Sequence, residues 1–398
     1  MDIVITDISA LEYHATPPMV RAFHLADAAA LASGIQMPSA LARANAPAPL
    51  RIASREIMGS LKGVGFPIHV ATDRKPTGST PLLVPHFRSG SYERGELQQV
   101  ADNIYVTSPA RTLLDLARSR SLMGTALLMF ELLGIYARCP QTSRARLACD
   151  LLEADGALWK GATHRIIAYS GVNGQPLSFE DRMGRQMPWE PCFAADGELS
   201  DLWKRPPLLM PADLAECARH AESAQGLKRF ERARRLALPG SASPEESLFA
   251  LMATVPRKLG GEGLPAPSLN RRVMLSRSAA QAYGSDSCVG DAMWLPPVAL
   301  GRHSLCVEII GRQFHGDAGK DDARANALSA SGVDVIHVDH AQMTSLDRWE
   351  VIVDIIAKGI GWNVPNLTPA FRRQRARLRR ELFGGAAPAA RSPETVGC

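Results

Sequence analysis

The chain has 398 residues with 46% apolar and 21% charged side chains, which excludes a disordered polypeptide and leaves room for two or three domains. Its 45 Lys and Arg against 40 Asp and Glu give a net charge of +5, a mild excess that permits nucleic-acid contact without demanding it. The seven cysteines are scattered and form no CxxC pair, which argues against a finger-type zinc site and for a reduced, cytoplasmic chain.

The opening residues lack the basic n-region and apolar core of a secretory signal. Thr6-Asp7-Ile8-Ser9 is expected to cap a short helix through Tyr13. Strand-like runs follow at Pro67–Ala71, Leu82–His86 and Asn103–Val106. Ser108-Pro109 then predicts a helix start, with Ser108 as N-cap and Pro109 at the first helical position. Arg111 and Asp115 are expected to pair at i,i+4 on the exposed face of that helix.

The longest apolar stretch, Leu122 to Ala137, carries Glu131 and falls short of the ~20 residues of a membrane span, so it predicts a buried helix and no membrane partner. Residues 141–210 show poor periodicity and read as an irregular insertion or long connection. Pro211 to Leu238 reads as one helix with a basic face of Lys228, Arg229, Arg232, Arg234 and Arg235.

From Ser243 the pattern sharpens. Ser243-Pro244-Glu245-Glu246 predicts a capping-box start for a helix reaching about Val255. Strands are expected over Cys288–Trp294, Leu305–Ile310 and Val333–Val338, with helices over Asp321–Ala330 and Leu346–Lys358. Helices interleaved with strands mark an α/β domain. The run at 372–380 holds six Arg in nine residues and reads as a basic helix, followed by a Gly/Ala/Pro-rich disordered tail.

Two carboxylates lie inside apolar strands: Asp291 in Gly290–Trp294 and Glu308 in Cys306–Ile310. Such groups are costly unless paired, hydrogen-bonded or bound to metal. Together they are candidate catalytic residues and ligands for one Mg²⁺, which would activate water at a phosphodiester. Glu246 is a candidate third carboxylate. The plainer alternatives are a capping role for Glu246, a solvent-facing strand end for Asp291, and a pairing of Glu308 with Arg312 or Arg302. His337 and His340 flank Asp339, a weak metal pattern.

Glu308-Ile309-Ile310-Gly311-Arg312-Gln313-Phe314-His315 resembles the E-x-D-G-x-x-x-H signature of DUF559-type endonuclease domains. These are relatives of the very-short-patch-repair nuclease within the PD-(D/E)XK superfamily. Asp321, Arg324, Leu328 and Gly332 stand at the spacings of the family's following helix, and Ser243-Pro244-x-Glu246 and the Asp291 strand match upstream. The resemblance spans about 120 residues, 243–362. It implies catalytic roles for Asp291, Glu308, Glu246 and His315, with nucleic-acid contacts from Arg312, Gln313 and Arg324. Ile310 departs from the pattern, standing where the family has an acid and the wider superfamily a Lys. Ile binds no metal, so Lys320 or Gln313 would have to substitute, or cleavage is reduced or lost.

Tyr105-Val106-Thr107-Ser108-Pro109-Ala110-Arg111-Thr112-Leu113-Leu114-Asp115-Leu116-Ala117 resembles the V-T-S-P-x-R-T-x-x-D-L-A stretch of AbiEi-like antitoxins of type IV toxin–antitoxin systems. Ser9-Ala10-Leu11 resembles their early helix. No full winged helix-turn-helix precedes residue 20.

The expected fold class is therefore α/β (α+β) and multidomain. Its parts are an AbiEi-like mixed α/β region at 1–140, a linker with a basic helix at 141–242, a restriction-endonuclease-like αββαβα core at 243–362, and a basic helix with its tail at 363–398. DNA is the expected partner, through Arg372, Arg373 and Arg375 of the tail as well. A cognate toxin or defence protein is a second. Three functions compete: a nucleic-acid-binding defence protein with a degenerate nuclease site, an active Mg²⁺-dependent endonuclease, and a non-enzymatic antitoxin acting through a protein partner.

Overall fold

The computed structural model describes residues 2–22, 63–73, 78–80, 82–88, 90–154, 158, 165–169, 174, 176–180, 186–187, 189–194, 196–221, 224–295, 304–311 and 318–384. The chain folds as two compact units, Met1–Ser170 with Pro176–Arg235, and Gly171–Gln175 with Leu236–Cys398. Both mix helices and sheet. Among the described residues no helix is long and apolar enough to cross a membrane.

The first unit opens with β1 (Ile3–Ile5), α1 (Asp7–Ala15) and α2 (Pro18–Ala22), then β2 (Ile68–Thr72), β3 (Leu83–Phe87), β4 (Leu97–Ala101) and β5 (Ile104–Thr107). These strands form one sheet in the order β3-β2-β1-β5-β4. Ile5, Ile68, Val70, Ile104 and Val106 build its core. Asn103 turns the β4–β5 hairpin at φ 59°, a left-handed conformation that Asn tolerates better than most residues.

Next come α3 (Pro109–Leu116) and α4 (Leu122–Leu133). Ser108 caps α3 by accepting from Arg111 N, with Pro109 in the first turn, as its sequence requires. The Arg111–Asp115 pair forms, with Arg111 Nη2 2.7 Å from Asp115 Oδ1. Its expected exposure is corrected: both residues are buried, because Thr6 Oγ1 donates to Asp115 at 2.8 Å and Glu96 pairs with Arg111 at 3.3 Å.

The described residues of 141–210 carry regular elements where an irregular insertion was expected. After β6 (Tyr136–Arg138) come α5 (Ser143–Ala154), β7 (Arg165–Tyr169), β8 (Pro176–Glu180), β9 (Gln186–Met187), β10 (Glu190–Phe193) and β11 (Leu199–Lys204). β10-β11-β6 form a sheet, and β7-β8-β9 form another. Trp203, Ala137, Trp189 and the inner face of α5 share one core. The strands are short, and register shifts within β10 and β7 break the two-residue alternation that would reveal them.

The single helix expected over 211–238 is two, α6 (Pro211–His220) and α7 (Leu227–Arg234). Gly226 begins the second at φ 90°, where an added Cβ would stand 2.8 Å from Arg118 N. From that turn, Arg229 of the basic face donates to Ala117 O at 2.7 Å.

The second unit runs α8 (Pro244–Thr254), β12 (Ser268–Met274), α9 (Arg277–Tyr283), β13 (Ser287–Trp294), β14 (Ser304–Ile310), α10 (Ala318–Ala330), β15 (Val333–Asp339), α11 (His340–Thr344), α12 (Leu346–Ile360) and α13 (Pro369–Phe383). The sheet order is β12-β13-β14-β15. β12, β13 and β14 pair antiparallel, and β14 with β15 parallel. Relative to the expected αββαβα order, an edge strand β12 and a helix α9 are added.

Cys288, Met293, Cys306, Leu328 and Val333 pack between the sheet and α10. Phe249 of α8 meets Trp349 of α12 and Trp294 of β13 edge-on, at 5.7 and 6.4 Å between ring centroids. Cover on both faces explains the nearly continuous apolar run of β14.

α13 docks through Phe371, Leu378 and Leu382. Arg375, expected on nucleic acid, is instead 3% exposed and ion-paired to Glu262 at 2.9 Å and Glu350 at 2.5 Å. Glu262 also accepts from Trp349 Nε1 at 2.9 Å. Arg372, Arg373, Arg377 and Arg380 remain on the exposed face of the same helix.

Candidate active site

The β13–β14 register pairs Ala292 with Val307 and Met293 with Cys306. Just past the Ala292–Val307 pair, the carboxylates of Asp291 and Glu308 come together on one face, where Arg324 reaches both. That face is the one covered by α10. Both residues are buried, at 5% and 3% exposed.

Backbone and thiol donors hold them there. Ile309 N donates to Asp291 Oδ2 at 2.8 Å, and Asp291 N to Glu308 Oε1 at 3.3 Å. The Cys306 thiol donates to Glu308 Oε1 at 3.1 Å. Burial, followed by the Glu308 charge, pushes this thiol far up, so it stays a donor.

The compensating charge comes from α10. Arg324 places Nη2 2.5 Å from Glu308 Oε2 and Nη1 3.6 Å from Asp291 Oδ1. The resemblance had assigned this residue to nucleic acid; its guanidinium faces the two carboxylates.

Glu246 sits in the first turn of α8, also buried. Ser243 Oγ accepts from Glu246 N at 3.1 Å, the forward half of a capping box. The return bond goes one residue upstream, with Ala242 N donating to Glu246 Oε2 at 2.7 Å. Asn270 Nδ2, held on β12 at φ 46°, donates to the same oxygen. Burial first, and then the Asp291 charge, raise the Glu246 carboxyl to about 8. It is therefore mostly protonated at neutral pH.

Ile310 ends β14 and pairs in register with Asp339. That carboxylate is committed elsewhere: Asp339 Oδ1 accepts from Gln342 N at 2.7 Å and caps α11. The same register sets His337 beside Glu308. His340 packs its ring edge against Phe383, 5.9 Å between centroids. Arg312, Gln313 and His315 lie outside the described residues, as do Arg302 and the Lys320 side chain.

Mg²⁺ takes octahedral oxygen ligands at about 2.0–2.1 Å. The described donors do not fit it as they stand. A guanidinium already sits on both strand carboxylates, and the Ile310 side chain supplies no oxygen. Asp291, Glu308 and Glu246 do not close into a set with all ligand atoms within 4.8 Å; among the described residues the set that does is Asp7, His69 and His86, in the first unit. Sequence reasoning passed over that set, since the three positions lie far apart in the chain with no motif spacing between them. The one signal was a histidine within each of two strand-like runs.

Comparison of the chain with family models, with curated proteins and with solved structures finds no match.

Proposed function

We propose that this chain is a cytoplasmic nucleic-acid-binding protein of a phage-defence or type IV toxin–antitoxin system, whose second unit keeps a restriction-endonuclease-like core without efficient cleavage. The observation that carries the proposal is Arg324 seated on Asp291 and Glu308 beside an apolar Ile310. A half-buried guanidinium there neutralises the carboxylates from within, in the place a catalytic cation would have to take.

The order α8-β12-α9-β13-β14-α10-β15, with its mixed four-stranded sheet, supports the nuclease-like reading. Binding falls to the exposed arginines of α13, Arg372 and Arg373 with Arg377 and Arg380, which suit phosphate contacts. The AbiEi-like stretch around Ser108–Ala117 supports the defence or antitoxin setting, with a cognate toxin as protein partner.

A second reading, an active Mg²⁺-dependent endonuclease, is favoured by the side-by-side placement of Asp291 and Glu308. It requires Arg324 to withdraw when metal and DNA bind. Gel retardation of duplex DNA across a salt series tests the first reading: a retarded complex that weakens steeply with salt is expected. Absence of any complex at low salt would leave the protein-partner role as the surviving alternative.

A further inference from the structure

Within the first unit, three side chains with metal-ligating atoms meet outside any role assigned above. β2 and β3 run parallel with His69 beside Val84 and Ala71 beside His86. Both rings therefore lie on one face of the sheet, one step apart. His69 Nδ1 stands 2.8 Å from His86 Nε2, and Asp7 Oδ1 stands 3.6 Å from His69 Nδ1. Asp7 opens α1 at φ 55°, a left-handed conformation that costs a residue with a Cβ and recurs at functional sites. Ile8 N donates to its Oδ1 at 2.9 Å and fixes the carboxylate toward the rings.

We propose that Asp7, His69 and His86 bind one divalent transition metal of the Zn²⁺ type, leaving at least one coordination position open. Two imidazoles and one carboxylate suit zinc and its neighbours, whereas Mg²⁺ and Ca²⁺ prefer oxygen alone. Two ligand nitrogens on a tetrahedral zinc stand ~3.3 Å apart, from bond lengths of about 2.0–2.1 Å. The observed His–His separation has to open by ~0.5 Å, and the Asp7 oxygen, 3.6 Å from His69 Nδ1, has to close by ~0.3 Å. Three protein ligands with an open fourth position is the pattern of zinc sites that hold water or substrate.

Binding replaces the hydrogen bond between the rings. The shared proton moves to a ring nitrogen on the far side, so both imidazoles stay neutral and each presents a lone pair to the metal. His86 then carries its proton on Nδ1, which faces Arg118 Nη2 at 3.5 Å. Two donors, one of them cationic, oppose each other there. Arg118, also 3.7 Å from Asp7 Oδ2, therefore weakens the site.

The test is Zn²⁺ retention and Co²⁺ titration of the full chain, freed of metal beforehand. The wild type should hold one equivalent of Zn²⁺ after dialysis and give the visible bands of four- or five-coordinate Co²⁺. His69→Gln with His86→Gln should lose both. Asp291→Asn with Glu308→Gln, at the acidic site of the second unit, should lose neither. Arg118→Met should bind more tightly, by roughly tenfold. No retained Zn²⁺ in the wild type overturns the proposal, whatever the variants do. So does loss of the metal in the Asp291/Glu308 variant with retention in the His69/His86 variant. If the His69/His86 variant fails to fold, the Arg118→Met affinity decides: unchanged or weaker binding counts against the site.

Discussion

Arg324 reaches from α10 to within 2.5 Å of Glu308, and this ion pair sets the character of the acidic site. Two carboxylates buried on adjacent strands would repel each other and resist desolvation. One guanidinium makes their burial tolerable.

Replacing Arg324 with Met should expose that dependence. The side chain is 27% exposed, so screening by water tempers the loss to about 1–3 kcal/mol of unfolding stability. Mg²⁺, which the histidine-containing site of the first unit does not suit, should then restore stability to Arg324→Met while leaving the wild type unaffected. Denaturant unfolding with and without metal reads both effects. Equal responses of the two proteins to metal would speak against Arg324 as the internal cation.

Glu246 gives the second unit an alkaline sensitivity. Its folded value of about 8 lies above the ordinary 4.5, so between these pH values the native state holds a proton that the unfolded state has released. The contribution is complete below about 4.5 and falls away as pH rises toward 8, by an amount on the order of a few kcal/mol. Glu246→Gln should flatten this slope. An unchanged slope between wild type and variant in pH-dependent urea unfolding would contradict the assignment.

The Thr-Ser-Pro segment is predicted to matter for stability. Asp115→Ala leaves Arg111 buried beside Glu96 alone and removes the acceptor of Thr6. A loss of about 2–4 kcal/mol in the first unit is expected. A change below about 0.5 kcal/mol, the size typical of a surface site, would mean the network contributes little.

The arginines of α13 should separate into two groups. Arg375→Met removes the cation paired with the buried Glu262 and should destabilise the second unit by about 3 kcal/mol. Replacing Arg372, Arg373, Arg377 and Arg380 with Ala should leave stability nearly unchanged. It should lower the salt slope of DNA binding by about 0.9 for each phosphate that an arginine no longer neutralises. Salt-dependent binding isotherms and thermal unfolding of the two variants check the division, and the reverse pattern would refute it.

Much of the fold was legible where local signals were strong. Ser108-Pro109 and Ser243-Pro244 start helices as their chemistry requires, and the strands around Asp291 and Glu308 stand out as apolar runs. β12 was hidden because an edge strand carries polar residues, here Asn270, Arg271 and Arg272, in place of an apolar run. β1 is only Ile3–Ile5, too short for a pattern.

At the site, both strand carboxylates were readable as anomalies in apolar surroundings. The direction of Arg324 was not, since sequence does not distinguish an arginine aimed at phosphate from one aimed at a buried acid. Arg375 misled for the same reason: the helical phase of 372–380 becomes informative only once Phe371, Leu378 and Leu382 are seen to face inward. Asp7, His69 and His86 converge solely through tertiary pairing of β2, β3 and α1.

The most direct test is one gel. Supercoiled plasmid is incubated with the wild type and Glu308→Ala in Mn²⁺ at low salt, and retardation and nicking are read together. The account predicts retardation by both proteins with the plasmid left supercoiled. Nicking or linearisation by the wild type that disappears in Glu308→Ala would contradict it and establish the site as a working nuclease.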